Sequence, residues 1–211
     1  MKMSKGAKLI NIDSDIEMDV SEAKKIFNSG GIFIYPTDTI YGFGCSPFSD
    51  TALQTLNSIK GRGEQKQYIL LVDSVSTLLN YINLNDDEII AMLKNIWPNP
   101  ISFIFNLNYK TRNLLQYDVA AFRIPKNTFC LDLLSELKAP LVSTSVNFSN
   151  QQPLTDFSSI KNEFADKVNA IFFINEKDNI GASTLVDLTK KPPKILREGE
   201  INFMELWQKL C

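Results

Sequence analysis

Asp19-Val20-Ser21-Glu22-Ala23-Lys24-Lys25-Ile26-Phe27-Asn28-Ser29-Gly30-Gly31-Ile32-Phe33-Ile34-Tyr35-Pro36 carries a helix, its stop and a strand in one stretch. Asp19 with Glu22 three residues on predicts a capping box, and the glycine pair predicts the helix end. The next four residues are apolar, aromatic or β-branched, so they read as a short buried strand that Pro36 stops. Working outward, the same switch of period recurs. Ser49 or Asp50 can cap a helix with Leu53, Leu56 and Ile59 on one face, ending near Lys60. A strand is expected at 68–72, helices at 76–82 and 86–96, then strands at 101–107, 119–124, 141–145, 168–174 and 184–188. Helical patterns at 128–137, 157–164 and 202–210 complete the chain. Strands outnumber the intervening helices, which predicts α/β architecture: a single domain over 1–211 with a twisted mixed sheet and flanking helices.

Bulk composition narrows the chemistry. The chain has 211 residues, a formal net charge of −2, 44% hydrophobic and 22% charged residues, which suits an ordinary globular protein with one core. There is no global basic field for tight nucleic-acid binding. Cys45, Cys130 and Cys211 are odd in number and lack CxxC spacing, so neither a zinc site nor a disulfide framework is expected. Met1-Lys2-Met3-Ser4-Lys5 is not followed by a long apolar run, and other apolar stretches are strand-sized. The expectation is a cytoplasmic protein in a reducing compartment, off the membrane. The chain has no histidine, which removes Ser-His-Asp triads, Cys-His pairs and histidine metal centres. Chemistry by positioning and charge neutralisation gains weight accordingly.

Several segments can carry that chemistry, each with a plainer reading beside it. Pro36-Thr37-Asp38-Thr39-Ile40-Tyr41-Gly42-Phe43-Gly44 offers hydroxyls and close backbone approach to a ligand, or a tight turn that satisfies its own backbone. Lys60-Gly61-Arg62-Gly63-Glu64-Gln65-Lys66 can hold phosphates, or be a solvated loop with cations near a helix C-terminus. It matches neither a Walker A loop nor a Rossmann fingerprint. Arg123 stands inside the apolar run Ala120-Ala121-Phe122-Arg123-Ile124-Pro125. Burial there demands a carboxylate, internal or from a ligand. Ser143-Thr144-Ser145-Val146-Asn147 ends a strand in hydroxyls and an amide, as a ligand site or as strand-end capping. Arg197 in Leu196-Arg197-Glu198-Gly199 reads equally as a surface residue.

In order, PTDTxYGxG, KxR, WPxPxS (Trp97 to Ser102), FRIP, SxSxN, STLVD (Ser183 to Asp187) and LREG make the chain resemble the YrdC family over roughly 15–200. The KxR and SxN pairs are that family's signature. The resemblance implies an ATP-dependent nucleotidyltransferase that joins L-threonine, bicarbonate and ATP into threonylcarbamoyl-AMP, with release of pyrophosphate. That product feeds threonylcarbamoylation of tRNA adenosine beside the anticodon, so downstream tRNA-modifying transferase machinery is an implied partner, together with weak tRNA binding. By the same resemblance Lys60 and Arg62 act at the phosphates. Lys66, Ser145, Asn147 and Arg197 complete the ATP side. Thr39, Arg123 and Ser143 hold threonine, with Arg123 on its carboxylate. Mg²⁺ is expected with ATP, held by phosphate oxygens and water rather than by protein ligands.

The chain departs from the family at Gly63, where proline is usual, at Leu71, where some relatives place a threonine-touching histidine, and at Ser102, where threonine is more usual. Ser149-Asn150 replaces a Ser-Gly turn, and asparagine tolerates the same left-handed backbone. Two other functions fit part of this pattern: a carbamoyl-adenylate-forming domain of the hydrogenase-maturation type, and a non-catalytic RNA-binding module.

Overall fold

The computed structural model describes residues 6–12, 15–61, 67–175 and 181–210. Ten strands run in chain order as β1 (Lys8–Asn11), β2 (Phe33–Tyr35), β3 (Gly42–Gly44), β4 (Ile69–Leu71), β5 (Ile101–Asn106), β6 (Val119–Arg123), β7 (Leu141–Ser145), β8 (Ala170–Phe173), β9 (Thr184–Asp187) and β10 (Lys194–Arg197). The helices are α1 (Ile16–Asn28), α2 (Asp50–Lys60), α3 (Val75–Leu78), α4 (Asp87–Ile96), α5 (Tyr109–Leu115), α6 (Thr128–Leu137), α7 (Phe157–Phe164) and α8 (Phe203–Leu210). All ten strands join one sheet in the order β1-β8-β2-β3-β7-β4-β6-β5-β9-β10. Pairings β1–β8, β2–β8, β4–β6 and β5–β9 are parallel and the rest antiparallel, so the sheet is mixed as expected.

Local chemistry explains most boundaries. Ser49 caps α2 by accepting from the Ala52 N–H, and Gly61, at φ 63°, ends that helix in the left-handed conformation. The first helix starts earlier than the capping box predicts. Asp15 is its N-cap and accepts from Met18 N–H at 3.2 Å, which leaves Asp19 and Glu22 inside the helix. Four elements carry signals too short to read in sequence: β1, β3, β10 and α5. The strand β3 is Gly-Phe-Gly, with only one side chain larger than hydrogen to set a pattern. The helix α5 is opened by Asn108, which accepts from Thr111 N–H at 2.9 Å.

The two faces of the sheet are covered unequally. Ile34, Phe43, Leu70, Phe103, Phe122, Val142, Ile171 and Val186 form one face with α2, α4, α7 and α8 in the larger cluster. On the other face Phe33, Tyr35, Leu71, Leu141, Ala170 and Phe172 pack under α1 and α6. That cover stops at Leu71 and Leu141. Beyond them the same face continues through Ser143, Ile69, Ala121 and Ile104, which pair directly across β7, β4, β6 and β5. There the sheet lines an open cavity. No helix among the described residues is long and apolar enough to cross a membrane.

Candidate active site

The cavity encloses about 320 Å³. Its floor is the uncovered part of the sheet, with Ile69, Ala121, Ile104 and Leu185 as apolar members and Ser143, Ser145 and Arg123 as polar ones. The turn between β2 and β3 forms one wall with Thr37, Thr39 and Tyr41. Ala182, Ser183 and Arg197 form the opposite wall. The mixed composition follows from period two: residues of one parity on β4, β6 and β7 share a face, so Ser143 and Ser145 project beside Ile69 and Ala121.

Arg123 ends β6 with 3% of its surface exposed. It donates from Nη1 to Thr39 Oγ1 at 3.1 Å, and its Nη2 lies 3.4 Å from Asp38 Oδ1. The carboxylate that a buried arginine requires is therefore internal. Yet among the described residues neither Asp38 oxygen nor Arg123 Nε has a hydrogen-bond partner, and 3.4 Å is long for a charge-assisted bond. The pair neutralises charge and leaves hydrogen-bonding capacity unused beside the cavity. Thr37 organises the turn below it: its hydroxyl donates to Ile40 O at 2.7 Å and accepts from Thr39 N–H at 3.0 Å.

Arg197, at the end of β10, donates from Nε to Ser183 O at 2.9 Å and from Nη2 to Ser183 Oγ at 3.1 Å. Ser183 Oγ in turn lies 3.1 Å from the buried Ser102 Oγ. Partial burial lowers the Arg197 pKa first, and the like charge of Arg123 lowers it further. The Arg197 guanidinium nevertheless stays charged. Two cations that feel each other across one cavity favour an anion between them.

Lys60 sits behind the turn that follows β7. It is fully buried, and its ammonium donates to Ser145 O at 2.5 Å, Asn147 O at 3.0 Å and Asn147 Oδ1 at 2.8 Å. An ammonium has three N–H groups, and all three of these acceptors belong to the turn after β7. It also sits 5.3 Å from the Phe43 ring centroid. The side chain thus holds the turn after β7 from behind and does not line the cavity. Asn147 belongs to the same knot: its Oδ1 also accepts from Ser145 Oγ at 2.7 Å, and its Nδ2 donates to Gln151 O at 2.7 Å. Lys60 and Asn147 form a buried brace behind the turn, and Ser145 is the member of the group that lines the cavity. Asn150 adopts φ 65° in the following turn, the left-handed backbone expected of it.

Of the other candidates, Thr39, Arg123, Ser143, Ser145 and Arg197 line the one cavity. Arg62 and Lys66 fall outside the described residues. Leu71 is fully buried in the cluster under α6. Sequence reading left Asp38, Ser183 and the apolar floor without roles. Asp38 had a usable signal, since a lone arginine in an apolar strand requires a carboxylate and Asp38 stands in a motif already singled out. Ser183 stood in the quoted STLVD motif, but its role shows only once the end of β10 folds onto it.

The family model for Sua5, YciO and YrdC, described as telomere recombination, matches residues 25–199. The chain belongs to the Sua5/YciO/YrdC family. Solved members share its fold closely. Sua5 from P. abyssi complexed with L-threonine superposes with a TM-score of 0.86 at 23% identity, covering 98% of this chain and 61% of that one. A doubly substituted P. abyssi Sua5 gives 0.86 at 25% identity, covering 96% and 60%. E. coli YciO gives 0.82 at 25% identity, covering 95% and 98%. The chain therefore spans about 60% of the length of the Sua5 chains and nearly all of YciO. The mixed sheet with flanking helices is the Sua5/YciO/YrdC fold.

Proposed function

We propose that this chain is an L-threonylcarbamoyladenylate synthase, a nucleotidyltransferase that makes threonylcarbamoyl-AMP and pyrophosphate from L-threonine, bicarbonate and ATP. The observation that carries the reading is the cavity itself: two arginines and a set of hydroxyls on an open sheet face, in a chain without histidine. The P. abyssi Sua5 complex with L-threonine supports the choice of amino acid.

The chemistry suits these groups. The amine of threonine takes up carbon dioxide to form a carbamate. A carbamate oxygen attacks the α-phosphorus of ATP, and the bond to the pyrophosphate oxygen breaks. The nucleophile is already anionic, so this step calls for charge neutralisation and in-line placement more than for a strong base. Arg123, with Thr39 and Ser143, would take the amino-acid carboxylate and hydroxyl. Arg197, held by Ser183, and Ser145, held by Lys60 through Asn147, would face the nucleotide, together with Arg62 and Lys66.

The described lining of the cavity includes no carboxylate, which fits a Mg²⁺ brought in on phosphate oxygens and water, where it would screen the charge of the triphosphate. The product would pass to tRNA-modifying transferase machinery in the cytoplasm, with tRNA itself bound weakly.

The test is pyrophosphate release from ATP and bicarbonate with and without L-threonine, with the nucleotide product weighed by mass spectrometry. Threonine-dependent release with a threonylcarbamoyl-adenylate mass is expected. Release driven by carbamoyl phosphate would assign the chain to carbamoyl-adenylate formation instead. No release with either, together with RNA affinity that falls steeply with salt, would assign it to RNA binding.

A further inference from the structure

We infer that Ile69 is the residue that selects threonine over serine, an inference that rests on the synthase reading and deepens it. The register fixes its surroundings. Ile69 pairs across β7 with Ser143 and across β6 with Ala121, so it stands between the Ser143 hydroxyl and the strand that carries Arg123 two residues further on. Neighbouring strands are about 4.8 Å apart and same-face neighbours along a strand about 6.6 Å apart. An amino acid whose carboxylate meets Arg123 and whose hydroxyl meets Ser143 bridges β6 and β7 over β4, where Leu71 is covered by the cluster under α6 and Ile69 is the residue open to the cavity.

The character of the row supports this. Ser143 and Arg123 are polar and all but buried, whereas Ile69 is half-buried, packs at the edge of the cluster under α1 and α6, and turns its remaining surface to the cavity. Ala121 beside it is small, and Ile104 on the far side is again large. The result is a shallow apolar notch next to a hydroxyl. Threonine differs from serine by one methyl on the carbon that bears the hydroxyl. With that hydroxyl on Ser143, the methyl falls in the notch. In L-allo-threonine the two groups exchange places, so the methyl points away from Ile69 when the hydroxyl keeps its partner.

The experiment compares kcat/KM for pyrophosphate release with L-threonine, L-serine and L-allo-threonine in the wild type, Ile69→Ala, Ile69→Val and Ile104→Ala, with calorimetric binding of each amino acid alongside. One methyl in an apolar contact is worth about 10–200-fold. The wild type should prefer threonine over both analogues within that range. Ile69→Ala should cut the preference by about tenfold through threonine alone, leaving serine nearly unchanged, which general structural damage would not do. Ile69→Val should fall between, and Ile104→Ala, which borders the notch only beyond Ala121, should lower the preference less than Ile69→Ala. If Ile69→Ala lowers all three amino acids equally, or if Ile104→Ala is the variant that relaxes the ratio, Ile69 is not the selector while the synthase reading stands. Absence of threonine turnover and threonine binding in the wild type would overturn both.

Discussion

The ammonium of Lys60 meets three acceptors from the turn after β7. Its removal is felt through backbone geometry before any ligand is present. Lys60→Met, which keeps length and loses the donors, should cost about 1–3 kcal/mol for each buried acceptor left unpaired. Urea unfolding without ligand measures this. A lysine that only touches phosphate would leave that curve unmoved. Asp38 makes the opposite case: a carboxylate with no hydrogen bond among the described residues, whose neighbour is the Arg123 charge. Asp38→Asn should leave Arg123 unpaired and less fixed, so threonine affinity should fall about tenfold, with partial recovery in Asp38→Glu. Calorimetry with threonine decides, and unchanged affinity would remove Asp38 from the positioning of Arg123. At this scale the sequence told that Lys60, Ser145 and Asn147 act together. It did not tell whether they face a ligand or each other, because a motif names residues without the direction of their side chains.

Among the elements, the end of β10 shows how little room the site's second wall has. A Cβ on Gly199 would lie 2.3 Å from Ala182 O and 2.5 Å from Thr184 N, backbone atoms that cannot yield. The same contact is stitched by Thr184 Oγ1 donating to Ile201 O at 2.6 Å and accepting from Ile201 N–H at 3.2 Å. Gly199→Ala should push this segment off β9 and take Arg197 away from Ser183. The expected outcome is about a tenfold or greater loss of ATP affinity, read by calorimetry, with a stability loss of about 1–3 kcal/mol, read by urea unfolding. Unaltered ATP affinity would mean that Arg197 does not need Ser183. Elements with a clear period were legible: 128–137, 141–145 and 157–164 coincide with α6, β7 and α7. What escaped were the two edge strands β1 and β10, whose residues are largely exposed and give no apolar run, and β3, whose Gly-Phe-Gly carries a single side chain. The start of α1 escaped because Asp15 competes with Asp19 for the cap and wins by opening a longer helix.

For the whole molecule, burial of ionisable groups in both clusters sets a limit on the alkaline side. Burial raises the Cys45 thiol from 9.0 to about 12, and burial, first among several causes, raises the Tyr35 phenol well above 10.0. Both groups are neutral when protonated, and the unfolded chain loses their protons first. Their contribution to stability is thus complete below about pH 9 and declines as pH rises toward the folded values, by up to about 1.4 kcal/mol per pH unit for each group. Urea midpoints should fall between about pH 8 and about pH 10.5, and Cys45→Ala should make the decline shallower. A flat profile would contradict the burial of both groups. The strand order has a consequence of another kind. β8 lies between β1 and β2, and β7 lies between β3 and β4. As the chain leaves the ribosome, β2 and β3 can pair with each other at once, and β4 with β6, but the free edges of β3 and β4 wait for β7, past residue 140, and β1 and the outer edge of β2 wait for β8, past 170. The nascent first half must wait with open edges, a state that invites aggregation and chaperone capture, and the two parts of the sheet join late.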